Sequence, residues 1–152
     1  MSDRLDQIAE KRRARDDRAA ARMPFSSMSD TKWRKALKSL ASTNARDICE
    51  WKFVADDNPV GGWIPEPNRI LERCVEPHCI DAAAGIVPLY KDVEWLELLA
   101  KRRSQSYENA PVSISEQNLD SAEAALTQIG QFDLERTPTG LRLYAYRKSD
   151  AE

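Results

Sequence analysis

The stretch SEQNLDSAEAALTQIGQFDLERTPTGLRLYAYR, residues 115–147, predicts an amphipathic helix that runs into a β-hairpin. Apolar residues recur in its first half on a 3.6-residue period: Leu119, Ala122, Leu126 and Ile129. Ser113 or Ser115 is expected to cap this helix, because Ser113 and Glu116 have the spacing of a capping box. Gly130 is expected to end the helix in the left-handed region.

The second half predicts two short antiparallel strands. Phe132 and Leu134 alternate with acidic residues, and residues 141–146 alternate leucine or alanine with arginine and tyrosine. A period of two predicts that each strand turns one face toward a core. The linker TPTG, 137–140, has the proline of a type I turn and puts Gly140 in the left-handed position that follows it. A lone hairpin is only marginally stable in water, so we expect further strands upstream.

Upstream segments supply a second helix and a second strand pair. The helix is predicted from a cap at Ser29–Thr31 through TKWRKALKSLAS, 31–42, and its apolar face consists of Trp33, Ala36, Leu37 and Leu40. The segment ICEWKFV, 48–54, predicts a strand with one buried face, formed by Cys49, Trp51 and Phe53. The segment VGGWI, 60–64, predicts the return strand after a turn.

The segment YKDVEWLELL, 90–99, has two interpretations. The favoured one is a strand that ends near Leu98, with Val93 and Trp95 on one face and Leu96 and Leu98 on the other. The alternative is a helix that aligns Val93, Leu96 and Leu99. Residues 101–111 are predicted to form a polar loop.

Together these elements predict an α+β fold, a small antiparallel sheet with a C-terminal β-hairpin, packed by two main amphipathic helices. Residues 28–148 form the expected single domain. Residues 1–27 are predicted to be a charged extension, flexible or helical, with little to bury, and residues 149–152 a disordered tail. Met28 is an alternative start of translation.

Composition narrows the class of protein. The 152 residues carry a net charge of −2, and the sequence pI is about 5.6, so no overall basic field argues for nucleic acid. No apolar run approaches the ~20 residues of a membrane span, and the N-terminus lacks the apolar core of a signal peptide. The three cysteines are an odd number, which argues against a disulfide framework. We therefore expect a cytoplasmic protein with no membrane partner.

Three stretches together resemble a bacterial family, namely TKW at 31–33, KDVEWLE at 91–97, and IGQF at 129–132 continuing to GLRLYAYR at 140–147. The set is similar to small bacterial proteins with a DUF6678-type domain of unknown function, over about residues 28–147. These are packing motifs, so the resemblance implies a fold and supplies no catalytic residues. In size, acidity and architecture the chain is more loosely similar to single-domain immunity proteins that neutralise bacterial toxins.

The most pointed chemical hypothesis is a zinc site at Cys74, His78 and Cys79, with Cys49 as a fourth ligand. Zinc sites favour paired, short ligand spacings, whereas His78 and Cys79 are adjacent and Cys74 has no CxxC partner. A thiol nucleophile with His78 as its base is also disfavoured, because adjacent side chains on an extended segment point apart. Buried free cysteines are common core residues, so no metal, cofactor or catalytic residue is predicted.

The favoured functional hypothesis is a non-enzymatic protein-binding module, immunity-like in that it occludes a protein partner. Such a module requires a surface with a few anchors and no catalytic pocket. Negative charge speeds encounter with a basic partner, and Tyr and Arg are enriched in binding hot spots. The predicted partner-binding residues are Asp56, Asp57, Glu94, Glu97, Arg142, Tyr144 and Tyr146.

Two other functions stay open at this point. A nucleic-acid-associated accessory protein would use the N-terminal arm and the basic face of the Trp33 helix, that is, Arg12, Arg13, Arg15, Lys32, Lys35 and Lys38. An enzyme with an unrecognised site would need a carboxyl group in an apolar pocket opposite a second one. Carboxylates do occur in nearby pairs, Glu94 with Glu97 among them, but the favoured interpretation of these pairs is solvated charge at strand edges.

Overall fold

The apolar stripes of the sequence form two helices that pack against one face of an antiparallel sheet. The computed structural model describes residues 2–23, 26–43, 48–80, 88–105 and 107–147. Met1 and the predicted tail, 149–152, lie outside the described residues. The described α-helices are α1 (Ser2–Ala21), α2 (Asp30–Ala41) and α3 (Leu119–Ile129). None of the helices in these ranges combines the length and the apolar character required to cross a bilayer.

Seven strands form two sheets in the described residues. The strands are β1 (Cys49–Phe53), β2 (Val60–Gly62), β3 (Val93–Leu99), β4 (Lys101–Ser104), β5 (Ser113–Glu116), β6 (Asp133–Arg136) and β7 (Gly140–Tyr144). The main sheet has the order β2-β1-β3-β7-β6, and β4 pairs with β5 in a separate hairpin. Every pair is antiparallel. The predicted α+β class and C-terminal hairpin are confirmed, and residues 93–99 are a strand, as favoured.

The core lies between the main sheet and the two helices α2 and α3. Trp33 of α2 is 2% exposed, and its ring stacks on Tyr90 with centroids 6.1 Å apart. The same ring lies tilted against Trp51 of β1 at 6.2 Å. Leu119 and Leu126 bring the apolar face of α3 into the same cluster. The predicted stripe of α2 is buried throughout, which confirms the helical period as the signal for this face.

A β-bulge sets the face of each residue along β3. The register between β1 and β3 shifts at Lys52, so that Lys52 pairs with Trp95 but Phe53 pairs with Val93. Glu94 is the extra residue, and Val93 therefore turns to the core side. The prediction that Val93 and Trp95 share a face is wrong, because alternation assumes an uninterrupted ladder.

The start and end of α3 differ from the predicted ones. Asn118 is the N-cap, and its Oδ1 accepts hydrogen bonds from the backbone N–H of Asp120 at 2.9 Å and of Ser121 at 3.4 Å. Residues 113–116 are strand β5, so the predicted caps Ser113 and Ser115 are wrong. Gly130 has φ 168°, which is extended backbone and not the left-handed region that was predicted.

The segment predicted as a polar loop contains a strand. Lys101 pairs with Glu116, and Ser104 pairs with Ser113, so β4 and β5 form a hairpin that follows directly on β3. Asn109 in its connection has φ 68°, a conformation that asparagine tolerates. Apolar and polar residues do not alternate in KRRS, 101–104, so the sequence pattern did not predict this strand.

Gly140 is required by close packing between strands. A Cβ atom built at this residue would lie 2.0 Å from the carbonyl oxygen of Leu98 and 3.1 Å from the Cα of Leu99. The residue is the first of β7 and pairs with Leu99. The predicted reason for this glycine, a left-handed turn position, is therefore wrong, and the actual reason is the approach of β7 to β3.

Candidate protein-binding surface

The structure places the seven predicted partner-binding residues in separate environments. They are Asp56, Asp57, Glu94, Glu97, Arg142, Tyr144 and Tyr146. The two aspartates lie in the connection after β1, and Glu97, Arg142 and Tyr144 lie on the sheet face opposite the helices. Glu94, Glu97 and Tyr146 are buried, at 6%, 2% and 7% exposure. The expectation that these three side chains are available to a partner is wrong, and the set does not form one patch.

Helix α1 contacts the connection after β1 through arginines. Nη2 of Arg15 lies 3.1 Å from Oδ1 of Asp56 and donates a hydrogen bond to it. Nη2 of Arg12 lies 3.7 Å from Oδ2 of the same carboxylate. Asp57, next in the chain, is exposed. A residue predicted to contact a partner thus contacts the N-terminal helix of its own chain.

A third arginine of α1, Arg13, binds the neighbouring Asp92. Its side chain is 4% exposed, and its Oδ1 accepts a hydrogen bond from Nη2 of Arg13. Its Oδ2 accepts from the backbone N–H of Leu89 at 2.8 Å, which fixes the carboxylate. The hydrogen bond to Asp92 raises the pKa of Arg13, so the guanidinium stays charged. We call Asp56, Asp57 and Asp92 the acidic corner.

A lysine beside the acidic corner binds α1 from the other direction. Nζ of Lys91 lies 2.9 Å from Oδ1 of Asp17, and Nη2 of Arg13 lies 3.0 Å from the same oxygen. The hydrogen bond from Lys91 lowers the pKa of Asp17 below its usual value. The contact between α1 and the acidic corner is therefore a network of charges of both signs.

This contact is almost entirely polar. Among the described side chains of α1, none belongs to the hydrophobic core, and Ile8 is 49% exposed. Asp16 is only 8% exposed and accepts hydrogen bonds from Arg15. Exposed ion pairs stabilise by about 0–1 kcal/mol each and weaken as salt is added. Helix α1 is thus held mainly by ion pairs and hydrogen bonds between charged side chains.

Glu94 is held inside the protein by Lys52. Nζ of Lys52 lies 3.0 Å from Oε1 of Glu94 and also donates to the backbone carbonyl of Phe53 at 2.9 Å. Both side chains are 8% exposed. The bulge in β3 turns Glu94 toward this lysine, because the extra residue departs from the alternation of the strand. Glu94 is a buried ion-pair partner and is not available as a surface contact.

Glu97 lies at the centre of the sheet face opposite the helices. Its side chain is 2% exposed. Oε1 accepts from Nε of Arg142 at 3.0 Å and from Oγ1 of Thr137 at 3.2 Å, and Oε2 accepts from Oγ1 of Thr139 at 2.5 Å. The turn of the C-terminal hairpin therefore supplies two of the donors that satisfy this buried carboxylate.

Aromatic and arginine side chains alternate across the same sheet face. The guanidinium carbon of Arg142 lies 3.8 Å from the ring centroid of Trp95 and 5.7 Å from that of Tyr144. Arg147 covers Tyr144 at 3.9 Å and binds Asp133 through Nε at 2.7 Å. On this face Arg142 is paired with Glu97, and Arg147 is paired with Asp133 and Glu135.

Tyr146 belongs to the core. Its hydroxyl donates to the backbone carbonyl of Lys91 at 2.9 Å, and burial raises the pKa of its hydroxyl. The strand β7 ends at Tyr144, so the alternation that predicted both tyrosines on one outer face does not continue to Tyr146.

The cysteines and the histidine do not gather into a metal site among the described residues. Cys79 is fully buried, and its Sγ donates to the carbonyl of Glu76 at 2.9 Å. His78, the next residue, is exposed. Burial, and secondarily the charge of Glu76, raises the pKa of the Cys79 thiol to about 12. This thiol is protonated at neutral pH and is a poor nucleophile.

We expect stability to fall at high pH because of Cys79. Burial raises the pKa of the folded thiol to about 12 from an ordinary value of 9.0. A raised pKa means that the stabilising contribution is complete below about pH 9 and is lost as the pH rises toward 12. Urea unfolding at increasing pH measures this slope. A Cys79→Ala variant controls for tyrosine and lysine ionisation, and an unchanged slope in that variant would contradict the prediction.

Two of the surface hollows are lined by described residues. One, of about 440 Å³, is open and lies along α3 beside Asp120, Glu123 and Thr127. The other is a smaller cleft of about 150 Å³ beyond the end of β2, beside Trp63 and Glu76. The described lining of each hollow contains neither a cysteine nor a serine.

Sequence reasoning missed Asp92 and assigned Arg13 only to nucleic acid. The two side chains are 79 positions apart, and no local pattern links them. The one available signal was the mixed charge of KRRARDDR, 11–18, which places both arginines and aspartates on the N-terminal segment.

Comparison with protein-family models, curated proteins and solved structures finds no match to this chain, so the resemblance to the DUF6678-type domain stays a prediction.

Proposed function

We propose that this protein is a non-enzymatic protein-binding module whose acidic corner recognises a basic helix of a partner protein. Helix α1 occupies the corner in the free chain and is displaced when the partner binds. The observation that carries this proposal is the contact of Arg13 with the buried carboxylate of Asp92, next to the contact of Arg15 with Asp56. The corner already binds an arginine-bearing helix in cis.

The chemistry of the corner defines the partner. Arg12, Arg13 and Arg15 reach the two carboxylates from a single turn of helix. Arginine suits such a site, because its planar guanidinium presents several donors and stays charged. We infer that the partner carries two or more arginines within one helical turn. An inhibitor of the immunity type, which occludes a basic surface of a toxin, is one protein that would act in this way.

Competition with α1 sets the strength of binding. A tethered segment competes at an effective concentration of about a millimolar for a short linker. A partner must therefore exceed the affinity of α1 for its own corner, and this requirement selects against weak, non-specific basic segments. Because ion pairs dominate the contact, added salt is expected to weaken α1 and the partner alike.

The nucleic-acid alternative receives less support from the same contacts. Arg13 and Arg15 bind carboxylates of their own chain. Lys32 donates to the backbone carbonyls of Ser27 and Gln131 at 3.1 and 2.9 Å. Charges that are satisfied internally are not available for phosphates. We expect the full chain to bind DNA and RNA weakly even at low salt.

The test uses a released variant, Arg12→Glu, Arg13→Glu and Arg15→Glu together, and a labelled peptide with the sequence of residues 2–21. We expect fluorescence anisotropy to show that the released variant binds the peptide at least about tenfold more tightly than the native chain. Adding Asp92→Asn to the released variant is expected to abolish that gain. Release of α1 itself is measured by its amide hydrogen exchange.

A matched control carries the same change in charge at exposed positions of α1, namely Arg4→Glu, Lys11→Glu and Arg18→Glu. This variant is expected to bind the peptide no better than the native chain. Equal binding by the control and the released variant would show a bulk charge effect and would overturn the proposal. No binding of the peptide by the released variant would overturn it as well.

A further inference from the structure

The small cleft beyond β2 has the features of a binding site. It has a volume of about 150 Å³ and is lined by Trp63, Pro65, Glu66, Arg69, Glu76 and His78. Ligand pockets for whole small molecules are commonly about 300–1,000 Å³. A volume of this size therefore suits one side chain of a larger partner. The acidic corner begins at the other end of the β1–β2 hairpin, so the two sites are separate.

Trp63 is displayed differently from the other tryptophans. It is 44% exposed, whereas Trp33, Trp51 and Trp95 are 9% exposed or less. Its backbone N–H donates to the carbonyl of Cys79 at 2.9 Å, and the next residue, Ile64, is fully buried. The indole is thus held at the surface by a rigid backbone, as expected of an anchor for a partner.

The carboxylates of the cleft favour a cation. Glu76 is 8% exposed, and Nη2 of Arg69 lies 3.5 Å from its Oε1. The side chain of Arg69 is 55% exposed, so this ion pair is long and its cation is largely in water. Glu66 adds a second carboxylate to the lining. A buried carboxylate with a distant partner gains from a closer positive charge.

We propose that this cleft binds a lysine side chain of a protein or peptide. The ammonium lies between the Trp63 indole and the Glu76 carboxylate, and the alkyl stem packs on Trp63 and Pro65. Tryptophan is the best aromatic partner for an ammonium, and a compact ammonium on a narrow stem fits the small volume. The proposal does not depend on the acidic corner, because it rests on a different set of residues.

The test is a titration of the ¹⁵N-labelled full chain with Nα-acetyl-lysine methylamide. The indole N–H resonance of Trp63, assigned through a Trp63→Phe variant, is expected to shift in a saturable way. The neutral Nε-acetylated compound keeps the stem and loses the charge, and we expect it to produce no shift. Glu76→Gln is expected to weaken binding about tenfold, as a lost charged contact does.

Several results would overturn the proposal. An equal shift with the acetylated compound would mean an apolar site, and the absence of a saturable shift with lysine would mean no site. Glu66→Gln, at an exposed position, tests the charge argument if Glu76→Gln disturbs folding, and we expect it to weaken binding severalfold. Glu116→Gln lies away from the cleft and is expected to leave binding unchanged, so an equal effect there would indicate only general electrostatics.

Discussion

Replacing Gly140 by alanine is expected to lower the free energy of unfolding by about 3 kcal/mol or more. The new methyl group would lie 2.0 Å from the carbonyl oxygen of Leu98, and this atom belongs to the backbone of the central strand. Backbone cannot move aside as a flexible side chain can, so β7 must separate from β3 at Leu98–Leu99. Urea unfolding followed by tryptophan fluorescence measures the loss.

Gly61 supplies the matched control. A Cβ atom at Gly61 meets nothing within 4 Å, so Gly61→Ala is expected to change stability by less than about 1 kcal/mol. Gly62→Ala, where the Cβ would lie 2.2 Å from the carbonyl oxygen of Cys79, is expected to behave like Gly140→Ala. Equal stability of the Gly61 and Gly140 variants would show that the strands are not packed as closely as described.

Glu97→Ala is expected to destabilise the protein by about 3 kcal/mol. The side chain is 2% exposed, and its removal leaves Arg142 without its carboxylate over the ring of Trp95. Thr137 and Thr139 lose an acceptor in the same step. Because Arg142 is 25% exposed, water offsets part of the cost, which keeps the estimate below the ~5 kcal/mol of a fully buried pair.

The measurement is again urea unfolding, with Glu97→Gln and Glu116→Ala as controls. Glutamine keeps the shape and can accept hydrogen bonds, so Glu97→Gln is expected to cost less than Glu97→Ala. Glu116 is exposed and its pair with Lys101 is long, at 3.8 Å, so Glu116→Ala is expected to change stability by less than about 0.5 kcal/mol. A similar small effect for Glu97→Ala would mean that the carboxylate is not buried in solution.

Local periodicity was sufficient for much of the fold. Helix α2 and strands β1 and β7 each bury one apolar face. The sequence period predicts which residues share such a face, so these three elements could be predicted. The strand at 93–99 was also predicted, with Leu96 and Leu98 correctly on one face and Val93 wrongly on the face of Trp95. The bulge at Glu94 is invisible in a single strand, because it arises from the register with β1.

Other features depended on contacts that sequence patterns do not encode. Ser113 and Glu116 fit a capping box locally, but pairing with β4 makes them strand, and Asn118 caps the helix instead. Tyr146 continues the sequence alternation of β7, but the strand ends at Tyr144. The side chain of Tyr146 therefore does not lie on the outer face with Tyr144. In each case a tertiary contact overrode a local preference.

The candidate site was the least predictable part. Asp56 and Asp57 were predicted as contacts because they lie in an acidic turn, and Asp56 does bind arginines. Those arginines come from the N-terminal arm, which sequence reasoning regarded as solvated because it has no apolar face. An amphipathic pattern reports only apolar burial, so a helix that packs through Arg13 and Asp17 leaves no periodic trace.

The charges of β6 have a consequence for how copies of this protein meet. This strand is the last in the main sheet, and its outer side has no partner strand among the described residues. Asp133 and Glu135 are bound by Arg147, and Arg136 is bound by Asp120 and Glu123. A second chain that added a strand there would have to desolvate this rim of ion pairs. The border of the sheet is thereby protected against edge-to-edge aggregation, which is the hazard that an unguarded terminal strand carries.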